Sequence, residues 1–306
     1  MVKYNNRRFY SLNDYFKDTF EEKIFKVSLD GGFTCPNRDG KVAHGGCIFC
    51  SDAGSGDFAG SRRKSITEQI DEQLEFMKDK IKDNKVIAYF QNFTNTYGEV
   101  KYLRQIYYEA LNHPKVIGLA IGTRPDCIDD DVLQLLEEIN QNYFFWLELG
   151  LQTIDDKVAR LINRGYDLPV YLNAAKKLKE KNIKFVTHMI IGLPNEERED
   201  ILKTAKCIVD SGAWGIKIHS LHIIKGTRLE KLYNEIKFKV FTMEEYVEMV
   251  VTILKSLPEN MVVHRVTGDG KKEEVVEPLW SLNKRKVLNE IEKELKKREY
   301  MQMEDE

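Results

Sequence analysis

Cys35-Pro36-Asn37-Arg38-Asp39-Gly40-Lys41-Val42-Ala43-His44-Gly45-Gly46-Cys47-Ile48-Phe49-Cys50 carries three of the chain's five cysteines, in the spacing C-x11-C-x2-C. Gly31, Gly32, Gly40, Gly45 and Gly46 surround them. Such a glycine density lets a backbone fold tightly around something inorganic. The apolar run from Ile24 to Leu29 leads in and reads as a strand, so the loop hangs from a strand end near the N-terminus. Three thiolates can hold three irons of a [4Fe–4S] cluster, whereas an electron-transfer cluster takes four cysteines. A fourth iron without a protein ligand is an open Lewis-acid position, by the logic that separates catalytic from structural zinc sites. Two other readings stay open: a zinc site of Cys3His type using His44, and a disulfide with one spare thiol. A zinc knuckle usually shows two close ligand pairs, and only one is present here. Five cysteines in 306 residues, with no signal peptide, point to a reducing compartment, the cytoplasm.

Downstream, strand-like and helix-like stretches alternate. Ile70, Leu74, Met77 and Ile81 recur at helical spacing within 67–82. Strand patterns follow at 86–90, 116–121, 144–151, 184–191 and 215–220. Helical patterns separate them at 101–111, 129–139, 158–162 with 169–181, and 198–209. Asp129 to Asp131 favour a helix start by their charge. This makes six βα steps in roughly 200 residues, where a closed (β/α)8 TIM barrel needs about 250. The expectation is an α/β fold, a partial (β/α)6 barrel. Residues 1–23, with Tyr4, Phe9, Tyr10, Tyr15 and Phe16, read as an N-terminal strap. Residues 24–235 read as the barrel with its cysteine loop, and 236–306 as a C-terminal α/β extension. That extension shows a helix at 243–257, a short strand at 261–266 and a long helix at 280–298.

A hydrophobic content of 42% supports a real core, and no apolar run is long enough to span a membrane. The formal net charge of −2 gives no bulk attraction to polyanions and leaves only a local basic face. Within 284–298 seven Lys or Arg stand against three Glu, a local net of +4. A solvated helix docked by Leu282, Val287, Leu288, Ile291 and Leu295 accounts for the same residues. Lys3, Arg7 and Arg8 admit a phosphate contact, or simply a solvated tail.

The cysteine triple, with the aromatic Phe49 before its last member, resembles the radical S-adenosylmethionine (SAM) superfamily. The usual spacing there is C-x3-C-x2-C. The longer first interval is similar to that of proteins related to the catalytic subunit of Elongator. Leu29-Asp30-Gly31-Gly32-Phe33-Thr34-Cys35-Pro36-Asn37-Arg38-Asp39-Gly40 looks like the signature of small bacterial YtqA/YhcC-like (MnmL-like) radical SAM proteins. Gly122-Thr123-Arg124-Pro125-Asp126-Cys127 is similar to the Thr-Arg-Pro-Asp word of Elongator-like radical SAM domains. The resemblance implies a radical SAM partial barrel with a [4Fe–4S] cluster on Cys35, Cys47 and Cys50, and SAM on the open iron. It also implies reductive cleavage of SAM to a 5′-deoxyadenosyl radical, fed by a flavodoxin- or ferredoxin-type electron donor.

In barrels of parallel strands the chemistry sits where strands end. The resemblance places Phe49 beside the cofactor. Gln91, Thr94 and Asn95, in Gln91-Asn92-Phe93-Thr94-Asn95-Thr96-Tyr97, stand where relatives carry a Gly-Gly-Glu-like turn for the amino group of SAM. It casts Gln152 as a ribose contact and Arg164 as the partner of the SAM carboxylate, a role its planar fork suits. His188 reads as a further ribose contact or as a buried, satisfied histidine. Arg124 and Asp126 read as a pair bracing their loop. His219 and His222 have no evident third zinc ligand nearby. Cys127 and Tyr97 are mouth residues able to return a hydrogen atom. The implied substrate is the C5 substituent of wobble uridine in tRNA, remodelled from a carboxymethylaminomethyl to an aminomethyl type. Such a base has to be splayed from its loop. The backbone contacts are then expected from Arg265 and from Lys284, Arg285 and Lys286, with Trp280 stacking on a base or anchoring its helix. The alternatives are a radical SAM enzyme acting on a small molecule and a zinc-stabilised RNA-binding module without catalysis.

Overall fold

The computed structural model describes residues 8–51, 54, 59–81, 83, 85–268 and 270–304. Lys3, Tyr4 and Arg7 of the expected strap lie outside the described residues. Helix α1 (Leu12–Phe20) precedes β1 (Phe25–Leu29). Then α2 (Ile66–Phe76) and the short α3 (Lys78–Ile81) lead to β2 (Val86–Phe90), and α4 (Val100–Leu111) leads to β3 (Val116–Thr123). Next, α5 (Asp130–Asn142) leads to β4 (Phe144–Gln152), α6 (Asp156–Leu161) and α7 (Leu168–Glu180) to β5 (Phe185–Ile191), and α8 (Arg198–Asp210) to β6 (Gly215–Ser220). The chain continues through β7 (Ile223–Ile224), α9 (Arg228–Ile236), α10 (Met243–Ser256), β8 (Val262–Arg265), β9 (Val275–Glu277) and α11 (Lys284–Glu304).

β1 to β6 lie side by side in sequence order, all parallel, and β8 adds itself to β6. β1 and β8 do not pair, so the curled sheet stays open. The expected partial barrel is present and carries one more stave. The short strand foreseen near residue 261 becomes the seventh strand of the same sheet. β7 and β9 form a separate antiparallel pair.

Cover on both faces explains why the strands read as nearly continuous apolar runs. Val27, Leu29, Ala88, Phe90, Leu119 and Leu147 pack in one cluster with Ile70, Leu103, Leu136, Leu178 and Ile208 of the surrounding helices. The barrel side behaves differently along its depth. At one level Ile87, Ala120, Trp146, Val186 and Val262 form an apolar plug with Leu12 and Phe16 of α1. The start of α1 is fixed by a capping box: the Ser11 hydroxyl accepts from the Asp14 N–H at 3.2 Å, and the Asp14 carboxylate accepts the Ser11 N–H at 3.3 Å. Tyr15 meets Trp214 edge-on at 4.8 Å, and Phe20 meets Phe144 at 5.1 Å. The Val263 N–H donates to the Tyr10 carbonyl at 2.8 Å, so the N-terminal segment also runs along the open β8 edge.

α11 packs on α10 and buries Val287, Ile291 and Leu295. Arg8 reaches it through Glu299 at 2.7 Å and Glu292 at 3.6 Å. Among the described residues no helix is long and apolar enough to cross a membrane.

Candidate active site

The loop after β1 is pinned at both ends. Asp30 accepts the Gly32 N–H at 2.8 Å and the Asn92 side-chain amide at 3.0 Å, and its backbone pairs with the Gln69 amide at 2.9 and 3.0 Å. Asn37 is fully buried, and its amide donates to the Asn163 carbonyl at 2.5 Å and to Cys47 Sγ at 3.7 Å. In return the Asn163 amide donates to the Gly46 carbonyl at 2.7 Å. Gly46 has φ +74°, a conformation that a side chain would strain. The turn closes with a 3.1 Å bond from the Cys50 N–H to the Cys47 carbonyl.

Cys35, Cys47 and Cys50 all line one cavity of about 320 Å³. The Cys50 thiol, donating to Cys47, pulls the Cys47 thiol down to about 7 against its burial, with help from Arg124, Asn37 and Arg164. The same bond and burial push Cys50 well up. All five cysteines are free thiols, so the disulfide reading falls. Among the described residues no group of three or more His, Cys, Asp or Glu side chains is gathered closely enough to hold a single metal ion.

The strand ends form the rim of the cavity. Phe49, Gln91, Thr94, Gln152 and His188 line it together with the cysteines. Gln152 holds φ +63°, and its Oε1 is buried without a hydrogen-bond partner. Its amide nitrogen lies where a side chain at residue 150 would intrude, 2.6 Å from the Cβ that Gly150 lacks. Asn95 is fully buried behind the rim, its amide donating to the Gly122 carbonyl at 2.8 Å. Arg124 clasps Asp126 through two bonds at 2.9 and 2.7 Å and donates to the Arg164 carbonyl at 2.8 Å. It braces its loop as the sequence suggested.

Arg164 lines the cavity and is also held from within the protein. Its guanidinium donates to the carbonyls of Tyr166 at 2.9 Å and of Leu151 and Thr153 at 2.6 Å each, and reaches Asp156 at 3.3 Å. It is 1% exposed and lies against the Tyr166 ring at 4.5 Å. Four of its five N–H groups are thus engaged inside the protein. The two expected hydrogen-atom donors are not among the residues lining the cavity. Burial pushes the Cys127 thiol up to about 12, beside Asp126. Tyr97 lies under Lys41, 5.1 Å from its ring centre.

Deeper than the rim, mid-strand side chains form a polar floor that the sequence did not reveal. Glu148 is 1% exposed. Its Oε2 accepts from Tyr89 at 2.6 Å, from His188 at 2.9 Å and from Lys217, while its Oε1 accepts from Trp146 at 3.0 Å. Burial opposes its charge, but Lys217 and His188 outweigh that and hold the carboxyl well below the usual range. Burial pushes the Lys217 ammonium down to about 7 against the pull of Glu148, and Lys26 and Arg265 add repulsion. Burial also takes His188 down to about 4.

Arg265, expected to contact an RNA backbone, lies opposite Lys217 in the sheet and lines this cavity. Trp280 anchors its helix: its indole N–H donates to the Phe241 carbonyl at 2.9 Å, and its ring tilts on Tyr246 at 5.1 Å. Lys284, Arg285 and Lys286 are exposed on the first turn of α11.

Residues 37–208 match the Radical SAM superfamily, and residues 213–297 match the Radical_SAM C-terminal domain. The chain belongs to the radical SAM superfamily. It is 47% identical over 292 residues to YtqA of Bacillus subtilis (strain 168), covering 95% of this chain and 91% of that protein. It is 37% identical over 277 residues to YhcC of Escherichia coli (strain K12), covering 90% and 88% respectively. Human Elongator complex protein 3 is 30% identical over 179 residues, 57% of this chain and 31% of that protein. Among solved structures, the archaeal Methanocaldococcus infernus Elp3 with an N-terminal deletion shares the fold at a TM-score of 0.65 and 20% identity, covering 83% of this chain and 59% of that one.

A radical SAM enzyme uses a [4Fe–4S] cluster with SAM and needs an electron donor. The residues present fit those groups. Three free thiols face one cavity beside arginines that favour thiolate. The partnerless Gln152 Oε1 offers an acceptor on the same wall.

Proposed function

We infer that this radical SAM enzyme modifies the C5 substituent of wobble uridine in tRNA, from the carboxymethylaminomethyl to the aminomethyl type. The chemistry rests on one observation: three cysteines from a single pinned loop line one barrel cavity together with the strand-end residues. The substrate rests on the likeness to Elongator complex protein 3, which covers about half of this chain. When bound, the cluster and SAM together supply abstraction of a hydrogen atom from a substrate carbon.

In this reading Cys35, Cys47 and Cys50 hold the cluster, and Asn37 and Asn163 keep their loop in shape. Phe49 closes the cavity wall beside them. Gln152 Oε1 accepts from a ribose hydroxyl, and Gln91 and Thr94 accept from the amino group of SAM. His188, donating to Glu148, keeps its ring facing the same space. Arg124 and Arg164 position loops and leave the carboxylate of SAM to other groups. A tRNA then rests on the rim and on the exposed Lys284, Arg285 and Lys286, and a flavodoxin- or ferredoxin-type protein delivers the electron.

The test is nucleoside mass spectrometry of tRNA from a strain lacking the gene. The expected result is accumulation of carboxymethylaminomethyl-uridine and loss of the aminomethyl form. An unchanged nucleoside profile overturns the substrate. Protein that holds iron but binds no tRNA selects a small-molecule substrate, and zinc without iron in anaerobic protein selects a binding module.

A further inference from the structure

The segment that carries Cys47 is gripped from two directions, and one grip comes from the C-terminal part of the chain. On one side, at the end of α6, the Asn163 amide donates to the Gly46 carbonyl at 2.7 Å and the Ile162 carbonyl accepts the Ile48 N–H at 3.0 Å. On the other side stands the first turn of α9. The Arg228 guanidinium donates to the same Gly46 carbonyl, and the Leu229 N–H donates to the Ile48 carbonyl at 2.9 Å. A helix start leaves its first N–H groups without partners inside the helix, and here the cysteine loop accepts one of them. The guanidinium lies against Gly45, its Cζ 3.5 Å from the place a Cβ there would take. Leu229 is fully buried in a cluster with Ile48, Val158 and Ile162, which holds helix and loop together. The turn before α9 is itself fixed. The Thr227 hydroxyl donates to the Ile224 carbonyl at 2.6 Å and accepts the Glu230 N–H at 3.2 Å, and Ile224 belongs to β7, which pairs with β9. The Glu230 carboxylate, two residues along the helix, accepts the Gly226 N–H at 2.7 Å. Arg228 thus brings a guanidinium from a well-anchored helix start to the peptide that joins Gly46 to Cys47.

We propose that Arg228 is a positioning residue for Cys47, and that its charge raises the reduction potential of the cluster the three cysteines hold. The Gly46 carbonyl and the Cys47 N–H belong to one peptide group. A carbonyl that accepts from a charged donor makes the N–H of its own peptide a stronger donor in turn. That N–H sits on the residue whose sulfur joins the cluster. An added electron is better tolerated where positive charge and good donors stand close to the sulfurs, and these are levers by which a protein sets the potential of such a cluster. Arg124 and Arg164 hold the loops of their own strand ends, whereas Arg228 arrives from the stretch that matches the Radical_SAM C-terminal domain. That stretch is therefore built into the cluster site as well as into the barrel wall. The assignment stands on membership of the superfamily alone and is independent of the substrate.

The experiment is a redox titration of the anaerobically reconstituted holoenzyme, without tRNA, read by the electron paramagnetic resonance signal of the reduced cluster. At the potential that half-reduces the wild type, Arg228→Gln should lower the ratio of reduced to oxidised cluster by about 3- to 10-fold, the range of one net hydrogen bond, with iron content unchanged. Arg228→Lys keeps the charge and should stay within about 2-fold of the wild type. Lys231→Gln removes an exposed charge from the same helix and should leave the ratio where it was. Thermal melts confirm that each variant is folded. An unshifted titration of Arg228→Gln overturns the proposal, and so does an equal shift in Lys231→Gln, which would assign the effect to net charge. If Arg228→Gln takes up no iron, Arg228→Lys decides: a cluster titrating as in the wild type upholds the role, and a shifted or absent cluster overturns it.

Discussion

At the rim of the barrel, positive charge is matched within the protein. Arg124 holds Asp126, and Arg164 holds three carbonyls and Asp156. At the floor, Lys217, His188, Tyr89 and Trp146 all meet on one buried carboxylate, Glu148. Both regions are polar, and both grow from the same strands. The difference teaches that polarity at a strand end is no measure of ligand contact. The rim uses its arginines to hold the loops around the thiols, while the floor ties β2, β4, β5 and β6 together through one carboxylate.

The largest expected effect tests the rim at its cysteines. Cys35→Ala, Cys47→Ala or Cys50→Ala should each abolish the about four iron and four sulfide per chain expected after anaerobic reconstitution, while Cys207→Ala on α8 should retain them. Full iron content in any of the three variants would end the distinction between loop and barrel.

Next come the two buried ions that anchor the comparison. Glu148→Gln leaves the buried Lys217 without its carboxylate and should destabilise the fold by about 3–5 kcal/mol in urea unfolding. The double variant Glu148→Gln/Lys217→Met should recover part of that loss, and strict additivity would show that the floor is not an ion network. Arg164→Ala orphans several carbonyls and should also cost about 3–5 kcal/mol. A nearly unchanged stability with weakened SAM binding would return Arg164 to the carboxylate role that the resemblance implied.

A gentler probe lies just beyond β5. Burial pushes the Glu196 carboxyl up to about 8, with the nearby charges of Asp200 and Asp155 adding to the rise. The folded state therefore holds a proton that the unfolded chain releases near its ordinary carboxylate value. The stability this group carries is full in acid and is lost as pH rises to about 8. Glu196→Gln should flatten that slope and stabilise the protein by roughly 1–3 kcal/mol at alkaline pH. A slope identical to wild type would show that Glu196 ionises freely.

The smallest effect concerns the surface. Lys284→Glu/Lys286→Glu should weaken tRNA binding several-fold and flatten its salt dependence by roughly one unit per lost contact, leaving SAM cleavage without tRNA unchanged. Wild-type affinity and salt slope would make α11 a solvated cover.

Much of this was legible in the residues. Apolar runs bounded by glycine and proline gave six strands, and the spacing of Cys35, Cys47 and Cys50 pointed to one loop. The floor was not legible, because its members are single charges far apart in the chain, and only pairing brings them together. Their shared signal was available: Lys26, Glu148 and Lys217 each interrupt an apolar strand at an alternating position, Phe25-Lys26-Val27, Leu147-Glu148-Leu149 and Ile216-Lys217-Ile218. Arg265 looked like a surface residue until β8 was seen to pair with β6, which sets it opposite Lys217. For Arg164 the sequence supplied a fork but not the carbonyls around it.

The seat of α1 against Trp146, Ile87 and Val262 has a consequence for traffic. A barrel stoppered at its far end is filled through the strand-end mouth, where what enters last stands in the way of what entered first. A bulky nucleic acid resting on that doorway would imprison the smaller molecule beneath it. Turnover would then follow a fixed queue, with the spent small molecule waiting on the departure of the large one.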